Sequence, residues 1–485
     1  MIVCRCSEDN FIYDIHSLVK AFYPAEDVKV FPDGEKVLIS DAGLPEFYIS
    51  LGQAEIGITA TVNGDIVANK TLSGVCYAQR AEYKNELKRL IYQLISELTG
   101  RVLPWGTLTG IRPTKIAMSM VADGATDEEI VDYMKDTYLC SDGKARLSAD
   151  IARYESRILE PIDYDNGYSL YVGIPFCPST CLYCSFTSYP IAKYRKIVDE
   201  YIEAVKKEID YVAAELSDKT LDTVYIGGGT PTTLEAEQLD ELISYLKAKL
   251  DWSKVKEFTV EAGRADSITR EKLETLHKLG VTRISVNPQT MNEETLRIIG
   301  RKATAAETVA CYKLAREVGF DNINMDLIVG LPDETIDDVR DTLTKVKELK
   351  PDSLTVHSLA IKRASRLAQV IDEMGYECIS NSDDIMALTG QVAASMSMEP
   401  YYLYRQKNMS GNFENVGYAV PGKAGIYNIL IMEEVQTIVA LGAGTVTKRV
   451  YGDGRIERCD NVKDVGLYIS EIDAMIDRKR NLFSD

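Results

Sequence analysis

Hydrophobic and polar positions along this chain follow two rhythms. Over the first hundred residues the rhythm is mixed. Asn10–Phe22 and Arg80–Leu98 repeat apolar residues at three-to-four spacing, the period of a helix buried along one face, and Gly100 stands where a helix C-cap is expected. Between them, Val28–Phe31, Val37–Ile39 and Phe47–Leu51 read as short strands. Ile56, Ile58, Ala60 and Val62 alternate with polar or small residues, and Asn63-Gly64 is a two-residue hairpin turn into Asp65–Thr71. Residues 1–100 are therefore expected to form a small α+β accessory domain. Residues 101–167 read as a helical connector, with helices at Asp127–Thr137 and Ser148–Ile158. Its segment Thr109-Gly110-Ile111-Arg112-Pro113-Thr114-Lys115 is punctuated by Gly and Pro, so Arg112 and Lys115 sit in a turn that faces either a site or solvent.

From Tyr168 the pattern becomes regular. Apolar strand-like runs at Leu170–Ile174, Thr223–Ile226, Glu257–Glu261, Arg283–Val286, Asn322–Val329 and Ser353–Leu359 alternate with amphipathic helical stretches. The first of these, Ile191–Leu216, carries Tyr194, Val198, Tyr201, Val205, Ile209 and Val212 on one stripe. Six βα steps with right-handed crossovers wind into an incomplete parallel (β/α)6 TIM-like barrel over residues 168–364, an α/β fold. From about 365 to 485 the rhythm breaks again into a C-terminal α+β domain. It has helix Asp383–Met396, strand Tyr401–Arg405, a polar Gly-rich stretch Asn408–Gly425, an apolar run Ile438–Val446 and an amphipathic helix Val465–Arg478.

Composition narrows the partners. A chain of 485 residues exceeds one ordinary core. A net charge of −19 disfavours nucleic acid as the main partner, because phosphate binding wants a basic face. The ten cysteines lack the even spacing of a disulfide framework, which fits a reducing compartment. The N-terminus lacks the basic and apolar blocks of a signal peptide, and no apolar run reaches the ~18 residues of a membrane span. These features predict a soluble, cytoplasmic protein.

One stretch carries candidate chemistry: Cys177-Pro178-Ser179-Thr180-Cys181-Leu182-Tyr183-Cys184, directly after the first strand of the barrel. Three thiolates within eight residues, with no fourth cysteine before Cys311, suit an iron–sulfur cluster that keeps one iron open. A structural zinc would want a fourth nearby ligand, and His16, His277 and His357 are all remote in sequence. Zinc and three unrelated cysteines stay open as alternatives.

Further unusual residues fall at strand C-termini, where barrel chemistry sits: Gly227-Gly228-Gly229-Thr230-Pro231-Thr232, Glu261, Gln289, Asp326 and His357. With the Cys-rich loop, this set resembles the radical S-adenosylmethionine enzymes, and within them the oxygen-independent coproporphyrinogen III oxidase (dehydrogenase) group, especially its HemZ-type branch. The resemblance implies that Cys177, Cys181 and Cys184 hold a 4Fe–4S cluster. It implies that Tyr183, Gly227, Gly228, Gly229, Thr230, Glu261, Gln289, Arg301 and Asp326 contact S-adenosyl-L-methionine, with a second molecule of it suggested by the oxidases. Glu261 would take the cofactor's ammonium. Tyr171 and His357 would be catalytic residues at the substrate; as bare sequence, Tyr171 is equally an ordinary strand aromatic and His357 a structural histidine.

The implied reaction is reductive cleavage of the cofactor to a deoxyadenosyl radical, which takes hydrogen from the propionates of coproporphyrinogen III and leads to vinyl groups, giving protoporphyrinogen IX. An external one-electron donor and acceptor would serve it. Lys193, Arg195, Arg112, Lys362 and Arg363 are candidate partners for the substrate carboxylates. One departure counts against the oxidase: where oxidases carry an additional cysteine two residues past the third ligand, this chain has Phe186, as the haem chaperones do. A haem-binding chaperone and another radical tetrapyrrole-modifying enzyme are the competing readings.

Overall fold

The computed structural model describes residues 1–484 except 33–38, 111, 185, 362–365, 368–378, 380 and 406–408. Lys362, Arg363 and most of the expected strand Val37–Ile39 therefore lie outside the described residues. Two compact units divide the chain: Met1–Ala152 with Arg405–Glu414, and Arg153–Tyr404 with Asn415–Asp485. Among the described residues, no helix is long and apolar enough to cross a membrane.

The first unit is built on β1 (Ile2–Cys6), β2 (Val28–Pro32), β3 (Glu46–Leu51), β4 (Glu55–Val62) and β5 (Asp65–Ser73), in sheet order 2-1-3-4-5. Asn63 and Gly64 both take positive φ, as a tight hairpin turn between β4 and β5 requires. Helices α1 (Ile12–Phe22) and α2 (Arg80–Thr99) bury Leu18, Phe22, Leu87 and Ile91 against one face of the sheet, and Gly100 caps α2 in the left-handed conformation. Two features depart from the sequence reading. Thr114–Ala122 is a helix, α3, with Pro113 at its N-cap, so Lys115 lies exposed in a first helical turn. The helix expected at Ser148–Ile158 begins six residues earlier and runs Asp142–Leu159. Arg405–Glu414 joins this unit because Glu414 accepts from the buried Trp105 indole at 2.7 Å and pairs with Lys144 at 2.5 Å.

The second unit holds the barrel. Its parallel strands are β6 (Gly167–Ile174), β7 (Thr220–Gly228), β8 (Glu257–Gly263), β9 (Arg283–Val286), β10 (Ile323–Val329) and β11 (Ser353–Ser358), each beside its predecessor. The sheet does not close. Beyond β11 it continues antiparallel through β13 (Asn415–Ala419) to β12 (Glu399–Tyr404). Beyond β6 it continues through the parallel β14 (Thr437–Leu441), then β15 (Val446–Val450) and β16 (Ile456–Asp460). Two long helices are interrupted where the sequence reading had them continuous. Ile191–Leu216 passes through a 3-10 turn at Arg195–Ile197 before α4 (Val198–Glu215), and Val465–Arg478 is two helices meeting at Glu471. A short helix α5 (Ile426–Glu433) follows the Gly-rich stretch, where no helix was expected.

Alternation along the strands separates two environments. Leu170, Val172, Val224, Ile226, Val260, Ile284, Met325 and Val356 are fully buried, forming the layer between sheet and helices. The opposite positions are polar or aromatic, and they bond across the barrel: Thr223 to Ser169, Tyr225 to Glu261, Arg283 to Ser353, and Thr355 to Asn324. A closed TIM barrel fills these positions with branched aliphatic side chains. Here the members nearest the strand C-termini, Tyr171, Tyr225, Glu261, Asp326 and His357, keep partial exposure.

Candidate active site

The cysteine loop leaves β6 and is tied down on both sides. Phe176–Cys177 pairs in parallel with Tyr189–Pro190, the Leu182 amide donates to the Ile299 carbonyl at 3.0 Å, and Leu182 packs with Leu296, Ile299 and Leu331. Cys177 and Cys181 are buried and Cys184 is half-buried. Each sulfur group sits within electrostatic reach of the others, and burial pushes the Cys177 thiol up to about 11. Polar groups point at the sulfurs. The Thr230 hydroxyl donates to Cys177 Sγ at 3.5 Å. Arg264, gripped by Asp266, donates to Cys181 Sγ at 3.6 Å and to the Ser179 carbonyl at 2.9 Å. Among the described residues no three His, Cys, Asp or Glu side chains are drawn together for one metal ion.

Gly227, Gly228 and Gly229 end β7 pressed against the loop's own strand. A Cβ on Gly229 would lie 2.5 Å from the Phe176 carbonyl oxygen, and one on Gly227 would lie 2.9 Å from the Glu261 carboxyl carbon. Gly228 has φ +104°, which a side chain would strain. Glu261, at the end of β8, accepts from the Tyr225 phenol at 2.6 Å and from the Gly228 amide. Burial raises its carboxyl to about 7, with Asp326 adding to the rise.

Gln289 has φ +69° and is clamped to β10 by two backbone bonds of 2.9 Å, from its amide to the Asp326 carbonyl and from the Ile328 amide to its own carbonyl. Such a conformation costs a non-glycine residue about 1 kcal/mol or more and is held only where its surroundings impose it. Arg301 donates to the Asn287 carbonyl at 2.5 Å and to the Tyr183 hydroxyl at 3.2 Å, bringing the cysteine loop and the Gln289 turn together. On β11, the His357 ring lies 3.4 Å from the Tyr404 hydroxyl and 4.0 Å from Asp326, with side-chain exposures of 27% for His357 and 21% for Asp326. Burial lowers the His357 pKa, opposed by Asp326, so the ring tends to be neutral.

The Radical SAM superfamily model matches residues 171–346. Over 450 residues the chain is 38% identical to the oxygen-independent coproporphyrinogen-III oxidase-like protein HemZ of Bacillus subtilis (strain 168), a match spanning 90% of this chain and 89% of that one. The chain belongs to this HemZ-like radical SAM family. Relatives of the family include the heme chaperone HemW of Bacillus subtilis, 37% identical over 195 residues, 40% of this chain and 51% of the chaperone. Among solved structures, the coproporphyrinogen III oxidase HemN from Escherichia coli superposes with a TM-score of 0.52 at 23% identity, over 69% of this chain and 73% of that one. That likeness bears on the fold.

Membership of the radical SAM superfamily implies a 4Fe–4S cluster and S-adenosylmethionine, and the HemZ-like site fits both. Its donor set is three thiols on one anchored loop with cationic and hydroxyl donors aimed at sulfur. Close by, the buried Gln289 Oε1, Asn287 Oδ1 and Arg301 Nε have no hydrogen-bond partner among the described residues. Buried polar atoms left in this way cost about 1–3 kcal/mol each, so a polar ligand is the economical explanation.

The structure brings together Tyr171, Tyr183, the glycines, Thr230, Glu261, Gln289, Arg301, Asp326 and His357 around the barrel mouth. Of the suggested basic residues, Lys362 and Arg363 lie outside the described residues, and the two in the barrel unit stand on its surface. Lys193 and Arg195 are exposed, and Arg195 pairs with Glu235 on the surface at 3.2 Å. Arg112 belongs to the first unit. Four contributors escaped the sequence reading. Tyr225 was legible by alternation, two residues before Gly227, and Arg264 follows the end of β8 as an isolated cation. Tyr404 and Tyr427 carry no local signal.

Proposed function

We propose that this chain carries out radical S-adenosylmethionine chemistry on a tetrapyrrole, namely the oxidative decarboxylation of coproporphyrinogen III to protoporphyrinogen IX. What carries the reading is the three-thiol loop set beside the strand ends that carry Glu261, Gln289, Asp326 and His357, polar where a closed barrel is apolar. Bound together, the cluster and S-adenosylmethionine supply one-electron, hydrogen-abstracting chemistry.

Cys177, Cys181 and Cys184 hold the cluster, with Thr230 and Arg264 donating hydrogen bonds to two of the sulfurs. Glu261 and the glycine run receive the cofactor's amino group. Gln289, Arg301 and Asp326 serve its ribose and carboxylate, and Tyr183 is braced by Arg301. Tyr171 and His357 face the substrate side. Two of the substrate's four propionates react, and each of these loses one hydrogen atom, carbon dioxide and one further electron, which passes to an external acceptor, while the barrel wall keeps water from the reacting carbon.

Anaerobic reconstitution with coproporphyrinogen III and a reductant tests this. Singly and doubly decarboxylated products are expected alongside deoxyadenosine, both lost in Cys181→Ala. A haem-chaperone reading is favoured by one feature, the Phe186 side chain, 71% exposed just past the cysteine loop. Tight stoichiometric haem uptake without decarboxylated product would decide for it and against the oxidase.

A further inference from the structure

Beneath Glu261 lie three tyrosines from three parts of the chain. Tyr171 on β6, Tyr225 on β7 and Tyr427 on α5 stack nearly parallel. Ring centroids are 6.0 Å apart for Tyr171–Tyr225, 4.5 Å for Tyr225–Tyr427 and 6.1 Å for Tyr171–Tyr427, and interplanar angles are 18–24°. α5 is itself fixed from the barrel floor. The Glu257 carboxylate accepts from the Ile426 amide at 2.6 Å and from the Tyr427 amide at 3.4 Å, satisfying the helix's first N–H groups. Only Tyr225 carries the arrangement upward, through its 2.6 Å hydrogen bond to Glu261 Oε1. A stacked phenol has little rotational freedom, so the carboxylate it binds is held in one orientation.

We propose that Tyr225 is the positioning residue that fixes Glu261 as acceptor for the amino group of bound S-adenosylmethionine, and that the C-terminal segment takes part in cofactor binding through Tyr427. This rests on the cofactor reading of the site given above.

The charged and titratable groups facing Glu261 are few. They are Tyr171 from β6, Tyr225 from β7, Arg283 from β9, Asp326 from β10 and Tyr427 from α5. Asp326 opposes ionisation. Arg283 favours it, but its guanidinium is spent on Ser353 at 2.9 Å and sits beside Glu257. The Tyr225 hydroxyl therefore supports the ionised carboxylate at closest range. Protonation of Glu261 removes the acceptor, so cofactor affinity is full above about pH 7 and weakens as pH falls through that value. Loss of the phenol hydroxyl moves that fall to higher pH.

The test is equilibrium dialysis of S-adenosylmethionine against the full chain with its cluster reconstituted, from pH 5.5 to 8.5, for wild type and Tyr225→Phe. Phe keeps the ring stack, and thermal unfolding checks that the variant is folded. A midpoint raised by about one pH unit is expected, so that affinity is roughly tenfold weaker at pH 6.5 and within about twofold of wild type at pH 8.5. Titration of the cofactor's own amino group is common to both proteins and cancels in the comparison. Tyr427→Leu, which removes the central ring contact, is expected to shift the midpoint in the same direction by less. A loss of affinity that is equal at every pH, or no loss, would overturn the proposal. Wild-type protein that binds no S-adenosylmethionine at any pH would defeat the cofactor reading itself, and with it this inference, before any variant is compared.

Discussion

Of the carboxylates in the barrel unit, Glu208 on α4 and Glu261 at the end of β8 are treated by the fold in opposite ways. Glu208 and its partner Lys479 are both fully buried, their charged atoms 2.5 Å apart. Glu208 also accepts from the Tyr468 hydroxyl at 2.5 Å, the Gly442 amide at 2.7 Å and Asn461 Nδ2 at 2.9 Å. Every lone pair has a use within the chain. Glu261 has a phenol and one amide, a second carboxylate nearby, and no cation at hydrogen-bond distance among the described residues. A buried charge is expensive unless it is paired. Glu208 meets that demand internally and pins the C-terminal segment behind β6. Glu261 leaves it unmet at the one place where a cation is expected to arrive. The contrast separates a carboxylate that holds the fold from one that waits for a ligand, though both are acids buried in one unit.

The largest expected effect breaks the first half of the contrast. Lys479→Met leaves Glu208 buried without its cation and should lower unfolding free energy by about 3–5 kcal/mol in urea titrations. The Gly442–Thr445 turn should loosen with it, because Tyr201 and Glu208 together hold its Gly442 and Ala443 amides. If Lys479→Met unfolded at the wild-type urea concentration, Glu208 would not be the internally paired carboxylate argued here.

The second half predicts the opposite sign. The Glu261 carboxyl is raised from about 4.5 to about 7 in the folded chain. The folded state therefore binds more protons than the unfolded state across that interval. Stability falls as pH rises from about 4.5 to about 7 and is flat above it. Glu261→Gln removes the slope and should stabilise the cofactor-free protein by about 3 kcal/mol at pH 8, while weakening S-adenosylmethionine binding. Thermal unfolding at pH 5 and pH 8 reads both signs: the variant should gain at pH 8 and match wild type near pH 5.

Much of this contrast was written in the chain, and part of it was not. The six βα steps were legible because strand alternation and helical periodicity are local: Arg283–Val286 has the boundaries its pattern suggested. The cysteine loop and the strand-end polar residues followed from the same rhythm. Glu208 gave no warning, since its partner Lys479 is 271 residues away and each looks like an ordinary charge on an amphipathic helix. The pairing of β14 with β6 is likewise long-range, and no periodicity encodes register between distant strands. Local chemistry misled at Pro113, read as a turn although proline suits a helix start, and at α5, hidden behind Pro421 and Gly422. Tyr225 shows the boundary best: alternation tells that it points inward with Gly227, but only the fold supplies Tyr427 to stack on it.

The smallest effect sharpens the comparison most. Asp326 lies near Glu261 and 4.0 Å from His357, raising the pKa of both. Asp326→Asn keeps the size of the side chain and removes the like charge facing Glu261. The Glu261 midpoint should fall by a few tenths of a unit, read as a downward shift in the pH at which stability levels off. The same substitution takes away the anion that favours a protonated imidazole, so the His357 pKa, already lowered by burial, should fall further in an NMR titration. The two shifts share a direction but have different causes, relief of repulsion for the acid and loss of attraction for the base. No shift in either would mean that Asp326 acts on neither group through its charge. Glu261 would then owe its raised pKa to burial alone, with Tyr225, the Gly228 amide and Arg283 as the groups that oppose the rise.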